Sequence, residues 1–107
     1  MRNSHKVTAE SYTDRLVQDL EDPVEAAAYL QAAIEEGDRE ALLVAMRYVT
    51  AAYGGVTAIA QQTGLSRESL YRAFSKRGNP TVATLSSVLA ATGLRLSVQP
   101  ANGNFRS

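Results

Sequence analysis

The sequence predicts an all-α fold of five to six short helices followed by one short C-terminal strand. Three observations predict it. Apolar residues recur every three or four positions through most of the chain, capping residues precede and glycines follow these stretches, and one segment alternates with a period of two. The 107 residues suit a single compact domain, which we place at residues 12–100. Residues 1–11 and 101–107 are predicted to be a disordered leader and a disordered tail.

Residues 12–37 are predicted to form two helices. The first spans Tyr12–Leu20. The second begins at Asp22-Pro23, where an N-cap carboxylate precedes a proline at the first helical position, and it ends at Gly37. The inward residues of this second helix are predicted from their spacing to be Val24, Ala27, Leu30 and Ile34.

A third helix is predicted from its N-cap Asp38 to the pair Gly54-Gly55, of which one adopts the left-handed conformation. A tight turn joins it to the second helix, so the two are expected to pack antiparallel. We therefore describe residues 12–55 as an acidic helical hairpin. The inward residues of the third helix are predicted to be Leu42, Met46, Val49 and Tyr53.

Residues 56–93 are predicted to contain three more helices. One spans Val56–Thr63, and the next begins at its N-cap Ser66 and extends to about Ser75. Gly78-Asn79-Pro80 breaks the chain before the last helix, which ends at Gly93. The inward residues are predicted to be Val56, Ile59 and Ala60 in the first of these helices and Val82, Leu85, Val88 and Leu89 in the last.

Residues 94–99 are predicted to form a strand that joins two copies of the chain. Leu94, Leu96 and Val98 alternate with polar residues. A lone strand leaves its backbone N–H and C=O groups unpaired, and nothing else in the sequence is typical of a strand. Pairing with the same strand of a second copy would satisfy those groups, which predicts a two-fold homodimer.

The charge is divided between the two halves of the chain. Residues 1–50 carry ten acidic and five basic residues, whereas residues 51–107 carry six basic residues against Glu68 alone. Such asymmetry indicates two partners of opposite charge, one of them a nucleic acid. Chance segregation of solvated charges would give the same pattern, so charge alone does not distinguish these two explanations.

The composition argues against an enzyme, a cofactor and a metal site. The chain has no cysteine, and its one histidine, His5, lies in the predicted leader. A solvated loop or a surface for a basic partner explains Glu35, Glu36, Asp38 and Glu40 better than a metal site does. No apolar run approaches the ~20 residues of a membrane span, and no export signal is evident, so we expect a cytoplasmic protein without a membrane partner.

The stretch Val56–Phe74 has the features of a helix-turn-helix. Ala60 is small where the second helix must cross the first, and Gly64 lies in the turn. Apolar residues from Leu65 to Phe74 are expected to hold the second helix against the core. The residues predicted to contact double-stranded DNA are Thr57, Ser66, Arg67, Glu68, Ser69, Tyr71, Arg72, Ser75, Lys76 and Arg77.

These residue types suit the chemistry of the major groove. Arginines such as Arg67 and Arg72 can bond guanine in a bidentate manner, and Glu68 can accept from the amino group of cytosine. Hydroxyls at helix starts and nearby cations favour phosphate oxygens. Tyr71 could contact a phosphate or a thymine methyl group. The alternative is an ordinary helical hairpin with a solvated basic face.

Residues 63–74 (TGLSRESLYRAF), followed by Gly78-Asn79-Pro80-Thr81 and Thr84-Leu85, resemble the addiction-module antidote proteins. These are HigA-like antitoxins with a lambda-repressor-like DNA-binding domain. Asp22-Pro23, Ala28-Tyr29-Leu30 and Glu36-Gly37-Asp38 extend the resemblance, which covers about residues 13–99. Residues 1–11 match nothing in that family.

The resemblance implies a lambda-repressor-like helix-turn-helix, a small basic toxin of the RelE/ParE type as partner, and repression of the shared operon. It places base contacts at Arg67, Glu68 and Arg72, with Ser69 on a phosphate. One alternative is a stand-alone Cro-type transcriptional regulator with no toxin partner. Another is a protein-interaction module whose helix-turn-helix does not touch DNA.

Overall fold

A computed structural model describes residues 9–101, with side chains from residue 12 onward. Within that range the chain is all-helical, as predicted. No single helix in it is long and apolar enough to cross a membrane; α3 and α4 pass that test only as a pair, which is bent by 88°. The helices are α1 (Ala9–Asp19), α2 (Pro23–Glu35), α3 (Arg39–Ala52), α4 (Gly55–Thr63), α5 (Arg67–Ala73) and α6 (Val82–Ala91).

Side-chain caps begin α2, α3 and α5 at the residues that the sequence predicted, and α6 has a further cap that the sequence analysis did not name. The carboxylate of Asp22 accepts from the N–H of Val24 at 2.9 Å, and that of Asp38 accepts from Glu40 at 3.0 Å. Ser66 caps α5, and Thr81 caps α6. Because each cap satisfies a backbone N–H that has no partner within the helix, these residues fix the helix starts.

Glycines in the left-handed conformation follow four of the described helices, α2, α3, α4 and α6, the last of them through Gly93 with a φ angle of 82°. Gly37 and Gly64 have φ angles of 72° and 79°. After α3, both Gly54 and Gly55 adopt positive φ, at 97° and 89°, where the sequence predicted one. This double turn redirects the chain sharply, and α4 therefore runs across the end of α3.

The core is organised around α3 and α4. Helix α3 packs on α1, α2 and α4, and α4 packs in turn on α5 and α6. Every described helix contributes to this core. Its buried apolar residues are Leu20, Ala26, Leu30, Leu43, Ala45, Met46, Val49, Ile59, Leu70, Phe74, Val88 and Leu89.

The inward side of α2 differs from the prediction. Leu30 is buried, but Val24 is 74% exposed, and Ala27 and Ile34 also face outward. The residues that turn toward the core are Ala26, Tyr29, Leu30 and Ala33. The predicted inward side of α2 was therefore wrong by about one position around the helix. Because an alanine-rich helix has apolar residues on both sides, their spacing does not determine which side faces the core.

Three further expectations need correction. Val82 was predicted to point inward but is 71% exposed at the start of α6. Helix α1 begins at Ala9, so the end of the predicted leader 1–11 is helical. Helix α5 ends at Ala73 rather than near Ser75. The rest of the leader, residues 1–8, and residues 102–107 of the predicted tail lie outside the described residues.

The predicted strand at 94–99 is absent from the described chain. Residues 94–100 adopt no regular structure after α6. Leu94 packs partly against the core, whereas Leu96 and Val98 are exposed. A strand needs a neighbour to accept its backbone hydrogen bonds, and the described part of this single chain supplies none.

Candidate nucleic-acid interface

Helices α4 and α5 pack together through a short turn with its own hydrogen bonds. The N–H of Gly64 donates to the carbonyl of Ala60 at 2.9 Å. The hydroxyl of Thr63 donates to the Ile59 carbonyl at 2.8 Å and accepts from the N–H of Leu65 at 3.1 Å. Because Thr63 bonds on both sides of Gly64, it fixes the direction in which α5 leaves the turn.

One side of α5 is held firmly against the core. Leu70 and Phe74 are buried, and Leu65 and Ala73 are partly buried beside them. Ala60 is also partly buried on α4, which is the helix that α5 contacts. These contacts leave the opposite side of a seven-residue helix in solvent.

The residues predicted to contact DNA lie on that solvent side of α5 or next to it, at the start of α4 and on either side of α5 in the chain. Of the ten, only Ser69 is partly buried. The exposed ones are Thr57, Ser66, Arg67, Glu68, Tyr71, Arg72, Ser75, Lys76 and Arg77. The structure thus brings together the exposed side of α5, the start of α4 and the turn after α5. The cations of this surface are Arg67, Arg72, Lys76 and Arg77.

Two serines share their hydrogen bonds at the start of α5. The Ser66 hydroxyl accepts from the Ser69 N–H at 3.0 Å, and the two hydroxyl oxygens lie 2.9 Å apart. One hydroxyl donates to the other, so the second keeps its proton for an outside acceptor. A phosphate oxygen could accept a hydrogen bond from that hydroxyl without disturbing the cap.

Arg67 and Ser75 differ in how freely they can bind a ligand. The guanidinium of Arg67 lies 3.5 Å from the Thr57 hydroxyl, a weak bond that uses one of its five N–H donors. Arg67 therefore links α5 to the start of α4 and still has donors for a base. The Ser75 hydroxyl donates to the Arg72 carbonyl at 2.9 Å, so it offers only acceptor lone pairs. Ser75 can therefore accept a hydrogen bond from DNA but has no free proton to donate to a phosphate.

The chain turns back after α5 through Gly78. Its N–H donates to the Ser75 carbonyl at 2.8 Å, and the residue is buried. A Cβ atom built on Gly78 would lie 2.0 Å from the Ala73 carbonyl oxygen, which no side chain can accommodate. This close approach holds the turn that carries Lys76 and Arg77 against the end of α5.

Sequence reasoning missed one residue, Arg47 on α3. Its guanidinium donates to the backbone carbonyl of Phe74, the C-terminal cap residue of α5. Carbonyls at a helix C-terminus lack partners within the helix and favour a cation. Arg47 therefore links the last turn of α5 to the central helix. It lies in the acidic half of the sequence, so no local pattern predicted its contact 27 residues away.

Metal ligands do not gather anywhere in the described residues. No group of three or more His, Asp or Glu side chains among them could hold a metal ion. Glu36, Asp38 and Glu40 instead line a shallow groove between α2 and α3, with Tyr29 and several alanines as its floor. Burial raises the pKa of Tyr29, and the nearby phenols of Tyr48 and Tyr12 raise it further, so that hydroxyl stays protonated at neutral pH.

Comparison with known proteins gives one family and one relative. A family model described as "probable addiction module antidote protein" matches residues 11–100. An uncharacterized protein of Haemophilus influenzae is 39% identical over 75 residues, which cover 70% of this chain and 76% of the relative. No solved structure matches the chain.

Proposed function

Because this chain belongs to the family of probable addiction module antidote proteins, we propose that it is an antitoxin that also represses its own operon. An antidote protein has a toxin as its partner. The finer proposal is that this toxin is a small basic protein of the RelE/ParE type. The chain acts in the cytoplasm as a homodimer, without catalytic activity of its own, and binds operator DNA through α4 and α5.

The exposed side of α5 carries the DNA-binding proposal. Arg67, Glu68 and Arg72 lie in solvent on a helix whose other side is anchored by Leu70 and Phe74. An isolated basic helix would lose entropy on docking, whereas this one is already fixed. The anchored helix presents bidentate donors and a carboxylate acceptor together, which is the chemistry that distinguishes G·C pairs in the major groove.

Phosphate contacts are assigned to the residues around that face. The free serine hydroxyl at the start of α5, with Thr57, Lys76 and Arg77, supplies sequence-independent, salt-dependent affinity. A homodimer that includes Leu94, Leu96 and Val98 in its interface would place two α5 helices about 34 Å apart, one turn of B-DNA. The expected operator is a palindrome.

The acidic hairpin suits a basic partner. The groove lined by Glu36, Asp38 and Glu40 has a volume of about 410 Å³, and its floor is formed by Tyr29 and alanines. A toxin that grips RNA carries a basic surface, and a carboxylate-rimmed apolar groove can receive such a surface. The two activities would then use opposite charges on separate parts of the chain.

Alanine variants test the DNA-binding proposal. Arg67→Ala and Arg72→Ala should each weaken binding to the DNA upstream of the gene by about 1–3 kcal/mol and relax its base preference. Fluorescence anisotropy at fixed salt measures the affinity. Arg39→Ala is the matched control, because Arg39 is exposed at the start of α3, within the acidic hairpin. Wild-type affinity in both α5 variants would remove the proposed interface.

Co-purification tests the toxin partner. The product of the adjacent reading frame should be a small basic protein that binds this chain and loses its toxicity in the complex. If no such partner exists while operator binding persists, the stand-alone regulator is correct. A chain that binds the toxin but no DNA in a salt titration would be a protein-interaction module.

A further inference from the structure

The outward side of α2 carries an apolar face with one carboxylate at its edge, that of Glu35, which accepts a hydrogen bond from the Gln31 side chain at 3.1 Å. Val24, Ala27, Gln31 and Ile34 follow one another at spacings of three and four residues, so they lie on one side of the helix. All four are exposed, and Ile34 is 46% exposed. The opposite side of α2 packs on α3 through Ala26 and Leu30. Contiguous apolar surface of this kind marks an interaction site in a soluble protein.

The C-terminal segment continues this face. A groove of about 350 Å³ separates α2 from residues 93–97. Leu94 is partly buried at its edge, whereas Leu96 is 39% exposed. The apolar residues that line the groove are Ala27, Leu30, Ile34, Leu89, Leu94 and Leu96.

The small number of charged residues in this groove indicates which partner covers it. A two-fold contact sets a surface against a copy of itself, so a surface whose charges are mostly of one sign would repel its copy. Among the residues lining the groove, Arg95 alone is charged. The carboxylate-rimmed groove and the arginine face of α5 would both repel themselves, and each suits a partner of opposite charge.

We propose that the α2 face and the segment Leu94–Leu96 together dock onto the same surface of a second copy. This inference rests on the homodimer of the proposed function and names its interface. It adds Val24, Ala27, Gln31 and Ile34 to the C-terminal leucines predicted from sequence. Side-chain burial holds this interface, so the C-terminal segment need not become a strand.

Sedimentation equilibrium of the purified chain tests this interface without DNA. The wild type should be a dimer at micromolar concentration. Gln31→Glu keeps the shape of the side chain but replaces its hydrogen bond to Glu35 with a second carboxylate beside it. Burying this like-charged pair in the interface should raise the dimer dissociation constant at least about tenfold. Ile34→Glu should have a larger effect.

Two matched controls separate this interface from a general effect of added charge. Gln18→Glu changes an exposed glutamine on α1, and Val82→Glu changes an exposed valine that does not line the groove. Both should remain dimers. Far-UV circular dichroism checks that each variant folds. If Ile34→Glu unfolds, the result for Gln31→Glu alone tests whether the α2 face forms the dimer interface.

A monomeric wild type, or dimers in both Gln31→Glu and Ile34→Glu, would overturn the interface. A wild-type monomer whose groove becomes protected only in complex with the toxin would assign the face to that partner and overturn it equally. A dimer that responds as predicted but binds no DNA would contradict the proposed function and leave the interface standing.

Discussion

The buried hydroxyl of Thr50 has no hydrogen-bond partner among residues 9–101, whereas that of Thr92 has a good one. Both residues are almost fully buried. The Thr92 hydroxyl donates to the Leu89 carbonyl at 2.7 Å, but the Thr50 hydroxyl on α3 is left unsatisfied. An unsatisfied buried polar group costs free energy, so these two threonines should respond oppositely to the same substitution.

Thr50→Val should raise the free energy of unfolding by about 1 kcal/mol, since valine has nearly the same shape and no group to desolvate. Thr92→Val should lower it by about 1 kcal/mol, since it removes a satisfied bond. Urea denaturation measures both. A loss of stability in Thr50→Val comparable to that in Thr92→Val would show that the Thr50 hydroxyl has a partner.

We expect Arg47 to affect DNA binding through its bond to the end of α5 rather than by contacting DNA. Arg47→Met keeps the apolar stem but removes the donor to the Phe74 carbonyl, so we expect lower DNA affinity with an unchanged salt dependence. Lys76→Ala should instead lower the slope of log K against log salt by about one, as expected for a lost phosphate contact. An equal loss of slope in Arg47→Met would place Arg47 on a phosphate.

At the scale of the element, the helix starts that have side-chain caps were predictable, whereas the start of α1, the end of α5 and the inward face of α2 were not. Asp22, Asp38 and Ser66 cap their helices by bonds to residues two or three positions away, so local sequence contains the whole interaction. The inward face of α2 depends on where α3 lies. In an alanine-rich helix the spacing alone did not distinguish Ala26 from Ala27.

The turn after α5 should tolerate substitution least of all the described turns. Gly78→Ala must displace the Ala73 carbonyl, because its Cβ would lie 2.0 Å from that oxygen. Gly93→Ala meets nothing within 4 Å and strains only the backbone, at φ +82°. We expect Gly93→Ala to cost about 1–2 kcal/mol and Gly78→Ala more. Thermal unfolding ranks them, and the reverse order would contradict the close approach at Gly78.

At the scale of the whole molecule, the division of charge along the chain becomes a division of surfaces. Glu36, Asp38 and Glu40 of the hairpin line a groove between α2 and α3, whereas Arg67, Arg72, Lys76 and Arg77 lie on α5 and in the turn after it. Arg95 lies apart from both, in the groove beside α2. The exposed side of α5 could be predicted because the helix-turn-helix pattern is local. The contact of Arg47 and the irregular segment 94–100 could not, since both depend on distant parts of the chain or on a second copy.

This separation predicts that toxin and DNA binding can be changed independently. A Glu36→Gln and Glu40→Gln double variant should weaken toxin binding about fivefold. The effect should be largest at low salt, because salt screens exposed charge pairs and each such pair contributes less than about 1 kcal/mol. Its affinity for operator DNA should stay as in the wild type. Isothermal titration with each partner measures this. An equal loss for both partners would mean that the surfaces overlap.

The central claim is that DNA lies against the exposed side of α5. Titrating the labelled protein with its upstream DNA, and following the backbone amide signals by NMR, tests it most directly. The account predicts that the signals of residues 66–77 and of the start of α4 shift most. Shifts confined to α1 and α2, or no shift at low salt, would contradict it.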